Sequence, residues 1–327
     1  MSKTAATGHI APSSSARYNR ANGGRHVDRL ERFRGCLVGL AVGDALGAPV
    51  EGLSRAEIEA QHGRVTDMLG GGWLGLQPGV WTDDTGMMLC IARSIVEKGG
   101  FDPEDTAYKF LEWFDADPVD VGQTTWVAME ALSIEVPWND AGRMAHARLG
   151  GLSAGNGSIM RCAPIGLLDA ANEQQLVRDS LDSSVITHWD PRACWGAVAV
   201  NLAVAHALEH GKERLLDDIV TKIEQPDVRK AVTTVAHMGI EDVVPSTFVL
   251  DTLQAALWCF LNADSFEEAL VDAVNLGGDA DTVGAVCGSM AGACYGLEAI
   301  PQRWREPLAC RSEILELADG IYRLARG

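Results

Sequence analysis

The chain has 327 residues and carries 27 basic against 45 acidic side chains, a formal net charge of −18. With 47% hydrophobic and 22% charged residues it has the composition of a globular protein with a sizeable core, not of a disordered or fibrous one. Its acidity opposes any sequence-independent grip on nucleic-acid phosphates or anionic membrane surfaces, so neither is expected as a partner.

Residues 1–27 stand apart. They hold Lys3, Arg17, Arg20 and Arg25, no acid, and the turn-prone runs Pro12-Ser13-Ser14-Ser15 and Asn22-Gly23-Gly24. Such a segment buries little and reads either as a loose basic tail or as an arm that docks on an acidic partner. Residues 28–327 then form one domain, since no linker long enough to divide them is present.

From Asp28 onward the periodicity is helical. In Arg34–Gly47 glycines fall at 35, 39, 43 and 47, and in Val283–Gly296 at 284, 288, 292 and 296. Glycine at every fourth position lines up on one helix face and lets another backbone approach closely, which predicts two buried helices in contact, the two runs being candidates for each other. Asp44 and the short length argue against a membrane span in the first run, and Asn201 and His206 interrupt the other long apolar stretch. Asp102-Pro103-Glu104, Asp190-Pro191 and Ser265-Phe266-Glu267-Glu268 read as helix starts, while Gly99-Gly100 and Gly211 read as stops. Period-2 alternation is nearly absent, Val243–Leu250 being the one ambiguous segment, so the fold class is all-α. Eight scattered cysteines without a CxxC pair read as reduced and mostly buried, and with no apolar signal-peptide core near the start the expected location is cytoplasmic.

Two segments gather hard oxygen ligands where helices begin: Trp81-Thr82-Asp83-Asp84-Thr85 and Gly277-Gly278-Asp279-Ala280-Asp281-Thr282. A helix cap needs one such residue, not three, and neighbouring carboxylates repel unless a cation lies between them. Carboxylate and hydroxyl oxygens suit Mg²⁺ or Mn²⁺, with Ca²⁺ also compatible, whereas the histidine and cysteine patterns of zinc sites are missing. Four carboxylates balance two divalent ions, which favours a binuclear centre. Gly155-Asn156-Gly157-Ser158-Ile159-Met160-Arg161 offers backbone N–H groups for a phosphate at a helix start, though it matches neither dinucleotide-fold nor P-loop spacing. His188, in Thr187-His188-Trp189-Asp190, is placed to meet a ribose or base, and Glu51 is a loop carboxylate available as acid, base or water holder.

These motifs, together with Arg32-Phe33-Arg34-Gly35-Cys36-Leu37-Val38-Gly39 and Gly43-Asp44-Ala45-Leu46-Gly47, resemble the ADP-ribosylglycohydrolase family in the same order from about residue 30 to the C-terminus. The resemblance implies a compact orthogonal helical bundle with two Mg²⁺ or Mn²⁺ ions in a cleft. Thr82, Asp83 and Asp84 with Asp281 would hold one ion, and Asp279, Asp281 and Thr282 with Asp83 the other. Asp279, Asp281 or Glu51, the match to a flap glutamate, would assist the attacking water. Ser153, Gly155 and Asn156 would lie along the ADP-ribose pyrophosphate and His188 beside the adenosine. The loop Val121-Gly122-Gln123-Thr124 would line the substrate. The implied reaction is hydrolysis of ADP-ribose from a modified protein side chain. Arginine is the leading linkage and serine the alternative. A further alternative is an immunity protein that also blocks a cognate ADP-ribosyltransferase toxin through its basic arm.

Overall fold

The computed structural model describes residues 27–326, so the basic arm lies outside the described residues apart from Val27. The described chain forms sixteen α-helices and no β-strand. They are α1 Arg29–Gly47, α2 Arg55–His62, α3 Asp83–Lys98, α4 Pro103–Asp115, α5 Gln123–Ser133, α6 Trp138–Arg148, α7 Ala163–Leu168 and α8 Glu173–Val185, then α9 Pro191–His210, α10 Leu215–Val220, α11 Pro226–Val235, α12 Val249–Asn262, α13 Phe266–Val274, α14 Ala280–Tyr295, α15 Gln302–Arg305 and α16 Arg311–Leu324. The ambiguous segment divides into an irregular stretch up to Phe248 and the first residues of α12.

The expected helix boundaries have visible causes. Asp102 caps α4 by accepting from Asp105 N, Asp190 caps α9 by accepting from Arg192 N, and Gly99 ends α3 in the left-handed conformation at φ 74°. The capping box expected at Ser265 is only half formed: Ser265 Oγ accepts from Glu268 N, but the Glu268 carboxylate turns to Asp264 N instead.

α1 and α14 pair with each other, antiparallel, in the most extensive helix contact of the fold. A Cβ on Gly35 would lie 2.5 Å from the Gly292 carbonyl oxygen, on Gly39 2.4 Å from that of Gly288, on Gly43 2.0 Å from that of Gly284, and on Gly47 2.4 Å from that of Ala280. Only glycine allows this separation, so the spacing of four on both helices is the register of their contact. By length and composition the stretch Arg29–Val50 would pass as a membrane span, yet it is the central core helix, nearly all of it covered by protein. The antiparallel pairing sets the C-terminal end of α1 beside the N-terminal end of α14, which determines where the acids meet.

Candidate active site

Beyond Gly47 the chain makes a short 3₁₀ turn, Ala48–Val50, and presents Glu51. Gly52 N donates to Gly278 O at 2.7 Å and Gly278 N donates to Leu53 O at 2.7 Å, tying this turn to the loop before α14. Gly278 has φ 62° and a Cβ there would fall 1.9 Å from Pro245 O, so the loop depends on glycine at that position. The clamp brings candidate ligand oxygens of Glu51, Asp279 and Asp281 within 4.8 Å of one another.

The other acid segment is placed by Asp44, a fully buried carboxylate in the last turn of α1. It accepts from Thr82 N at 2.9 Å, Thr82 Oγ1 at 3.0 Å, Thr85 N at 3.0 Å and Thr85 Oγ1 at 2.6 Å. Asp44 thus caps α3 from another helix, leaving Asp83 and Asp84 unneeded for that purpose. Burial pushes its proton affinity up to about 6, against the opposing pull of these four donors. Nor does Asp279 cap α14: its Oδ2 accepts instead from Asn156 Nδ2, which also donates to Thr252 Oγ1 at 2.9 Å. The two segments touch where the Thr282 hydroxyl lies 3.5 Å from Asp84 Oδ2.

Glu51, Asp83, Asp84, Asp120, Asp279 and Asp281 all line one cavity of about 580 Å³. Burial first, and the neighbouring carboxylates after it, hold Asp83, Asp84 and Asp281 well above the usual carboxylate range, and Glu51 is raised for the same reasons. Asp84 Oδ1 is buried with no hydrogen-bond partner. An orphaned carboxylate oxygen among crowded, oxygen-only donors is the environment that hard divalent cations neutralise, so these residues fit the metal pair that the sequence implied. The residues suited to hold it are Asp83, Asp84, Asp279, Asp281, Thr282 and Glu51. Thr82, the other ligand that the resemblance implied, lies behind the cavity lining, its hydroxyl 3.0 Å from Asp44 Oδ1 and 3.3 Å from Asp84 Oδ2.

The rest of the wall comes from Gly122–Thr125, Gly155–Gly157, His188, Arg192 and Phe248. Gly155, Asn156, Gly122 and His188 therefore face the cavity. Ser153 does not: its hydroxyl is buried and bonded to His146 Nδ1 at 2.6 Å, while Leu152, 86% exposed, lines the rim. Arg192 is the one arginine or lysine on the described wall, and Asp190 holds it by two bonds of 2.9 and 2.8 Å.

Sequence reasoning missed three residues here. Asp44 had a signal, a charge inside a glycine-spaced apolar helix. Asp120 and Trp73 had none. Trp73 is 64% exposed and donates from Nε1 to Glu51 Oε2 at 2.7 Å. It sits in a glycine loop so close to the Glu51 turn that a Cβ on Gly72 would be 2.9 Å from Ala48 O.

The sequence pattern of ADP-ribosylglycohydrolases matches residues 25–327. The chain belongs to the ADP-ribosylglycohydrolase family. It is 34% identical over 303 residues to the ADP-ribosyl-[dinitrogen reductase] glycohydrolase of Rhodospirillum rubrum, covering 90% of this chain and 97% of that one. It is 32% identical to the ADP-ribosylarginine hydrolase Tri1 of Serratia proteamaculans, covering 91% and 81%. Among solved structures, an ADP-ribosylglycohydrolase-related protein complex superposes with a TM-score of 0.78 at 38% identity, over 91% of this chain and 99% of that one.

Proposed function

We propose that this protein is a metal-dependent hydrolase that releases ADP-ribose from modified arginine side chains of proteins. The observation that carries this reading is the lining of the cavity, which sets six carboxylates beside glycine backbone, a histidine and an aromatic ring. An acidic lining favours a cationic guanidinium leaving group and the positive charge that develops at the anomeric carbon during cleavage. The names of the Rhodospirillum and Serratia relatives support the same reaction class and, for the latter, the arginine linkage.

When bound, divalent ions orient hydroxyl groups of a sugar and lower the pKa of a water. The remaining work falls to the chain. Asp279 and Glu51 each have one oxygen held by a neutral donor, the Asn156 amide and the Trp73 indole, and each offers an oxygen to the group that they form with Asp281. In this reading these two carboxylates orient the attacking water and carry its proton. The glycine loop 155–157 and Gly122 let a ligand backbone lie close to the wall, and the exposed wall at Leu152 is the side at which the protein part of the substrate would sit.

Incubating the Mn²⁺-loaded protein with arginine-modified and serine-modified proteins in parallel tests the reading. Release from the arginine linkage is expected. Release from serine alone would reject the linkage, and release from neither would reject the function.

A further inference from the structure

We propose that Arg161 and Thr187 act through His188 as positioning residues: they fix its tautomer, so that it presents a neutral Nε2–H donor to an oxygen acceptor of the nucleotide. The inference deepens the function proposed above and rests on it for the identity of the ligand. It starts from an arginine with no carboxylate partner among the described residues. Arg161 is fully buried, stacked over the Phe110 ring at 4.5 Å, and donates from Nη2 to Thr187 Oγ1 at 2.7 Å and to Ser183 O at 3.3 Å. Burial pushes its pKa down to about 10, which still leaves it charged at neutral pH.

Thr187 is itself fully buried, and its hydroxyl lies 2.7 Å from His188 Nδ1. A hydroxyl has one proton to give. Arg161 can only donate, so it occupies a lone pair of Oγ1 and polarises the O–H bond. Among the described residues the acceptor available to that proton is Nδ1. The opposite arrangement, with Nδ1–H pointing at Thr187, would fill both lone pairs of Oγ1 and strand the hydroxyl proton without an acceptor in a dry interior. Nδ1 therefore accepts, and the ring proton resides on Nε2.

That nitrogen faces the cavity. His188 lines it, and a Cβ on Gly157 would fall 2.7 Å from Cε1 and 3.1 Å from Nε2, so the ring lies against the glycine loop and Nε2 has no acceptor within hydrogen-bond reach among the described residues. Burial, reinforced by the Arg161 charge, pushes the imidazole pKa down to about 3, so the ring stays neutral around pH 7. A neutral ring with a fixed N–H selects an acceptor oxygen, of a ribose hydroxyl or a phosphate, and rejects a donor at the same place.

The test pairs Thr187→Val, which keeps the shape and removes the hydroxyl, with Thr187→Ser, which keeps the hydroxyl. Long-range ¹H–¹⁵N spectra of the full chain at pH 7, with His188 assigned by His188→Gln, should show Nε2 protonated and Nδ1 bare in the wild type and in Thr187→Ser. Thr187→Val should move proton density to Nδ1 and weaken ADP-ribose binding about five- to tenfold, the worth of one neutral hydrogen bond, with Mn²⁺ affinity unchanged. AMP and ribose 5-phosphate, titrated alongside, locate the acceptor by which of them loses affinity. A wild type carrying the proton on Nδ1, or a Thr187→Val protein that binds ADP-ribose as the wild type does, overturns the proposal. Should Thr187→Val fail to fold, the wild-type spectrum and the Thr187→Ser rescue still decide. A wild type that binds no ADP-ribose overturns the functional reading and the ligand half of this one, while the spectrum judges the tautomer separately.

Discussion

Gly43→Ala puts one methyl group where the two central helices cross. Its Cβ would lie 2.0 Å from the Gly284 carbonyl oxygen and 2.3 Å from the carbonyl carbon, whereas ordinary contact begins at 3.4 Å. The obstacle is helix backbone, which cannot rotate away, so α1 and α14 must part by more than an ångström at that level. The glycine contacts on either side, Gly39 with Gly288 and Gly47 with Ala280, are also far inside ordinary contact at 2.4 Å and resist a local bulge. Overpacking of this kind costs about 3 kcal/mol, and the better helix propensity of alanine returns about 1 kcal/mol. A net loss of about 2 kcal/mol lowers Tm by about 3 °C in a domain of this size. Because the same register places Glu51 against Asp279 and Asp281, Mn²⁺ affinity should fall as well. Thermal unfolding is measured in chelator, so that metal binding does not mask the loss, with Gly100→Ala as control, since a Cβ there meets nothing within 4 Å. A Gly43→Ala protein as stable as the wild type would refute the claim that this contact needs glycine.

Trp73→Phe keeps the ring and removes the N–H that holds Glu51. Steady-state kinetics should show kcat falling about tenfold, as for a lost hydrogen bond to a charged group, while Tm stays within about 1 °C because the residue is exposed. An unchanged kcat would remove Trp73 from the site. Far from the cavity, Asp169 has a buried oxygen without a partner and a neighbouring carboxylate, Asp179, and burial followed by that charge pushes its pKa up to about 7. The folded state then holds a proton that the unfolded chain releases near its ordinary value of 3.8, so the stability contributed is present at acidic pH and is lost as pH rises through about 7. Asp169→Asn should be more stable relative to wild type at pH 8 than at pH 5 in urea unfolding; a pH-independent difference would contradict the assignment.

The sequence was legible where its signals are local or periodic. Glycine at every fourth residue announced both central helices, and their contact follows from the same spacing. Asp102, Asp190 and Gly99 announced helix ends because a cap is made by a residue next to the helix it caps. The two acid segments announced themselves because their carboxylates outnumber what capping needs. What stayed hidden depends on partners distant in the chain. Asp44 lies 38 residues from Thr82, and only the fold shows that it caps α3. Ser153 sits inside a loop whose neighbours line the cavity, but alternation along an irregular loop is not periodic, and its hydroxyl turns to His146. Trp73 reaches Glu51 across a glycine loop whose closure no residue pattern announces.

Mass spectrometry of ADP-ribose released from an arginine-modified protein, with Mn²⁺ and then with excess chelator, tests the joint role of the two acid segments most directly. Release with the metal that ceases in chelator and is absent in Asp281→Asn is the predicted result. Undiminished release in chelator, or from the Asp281→Asn protein, would contradict it.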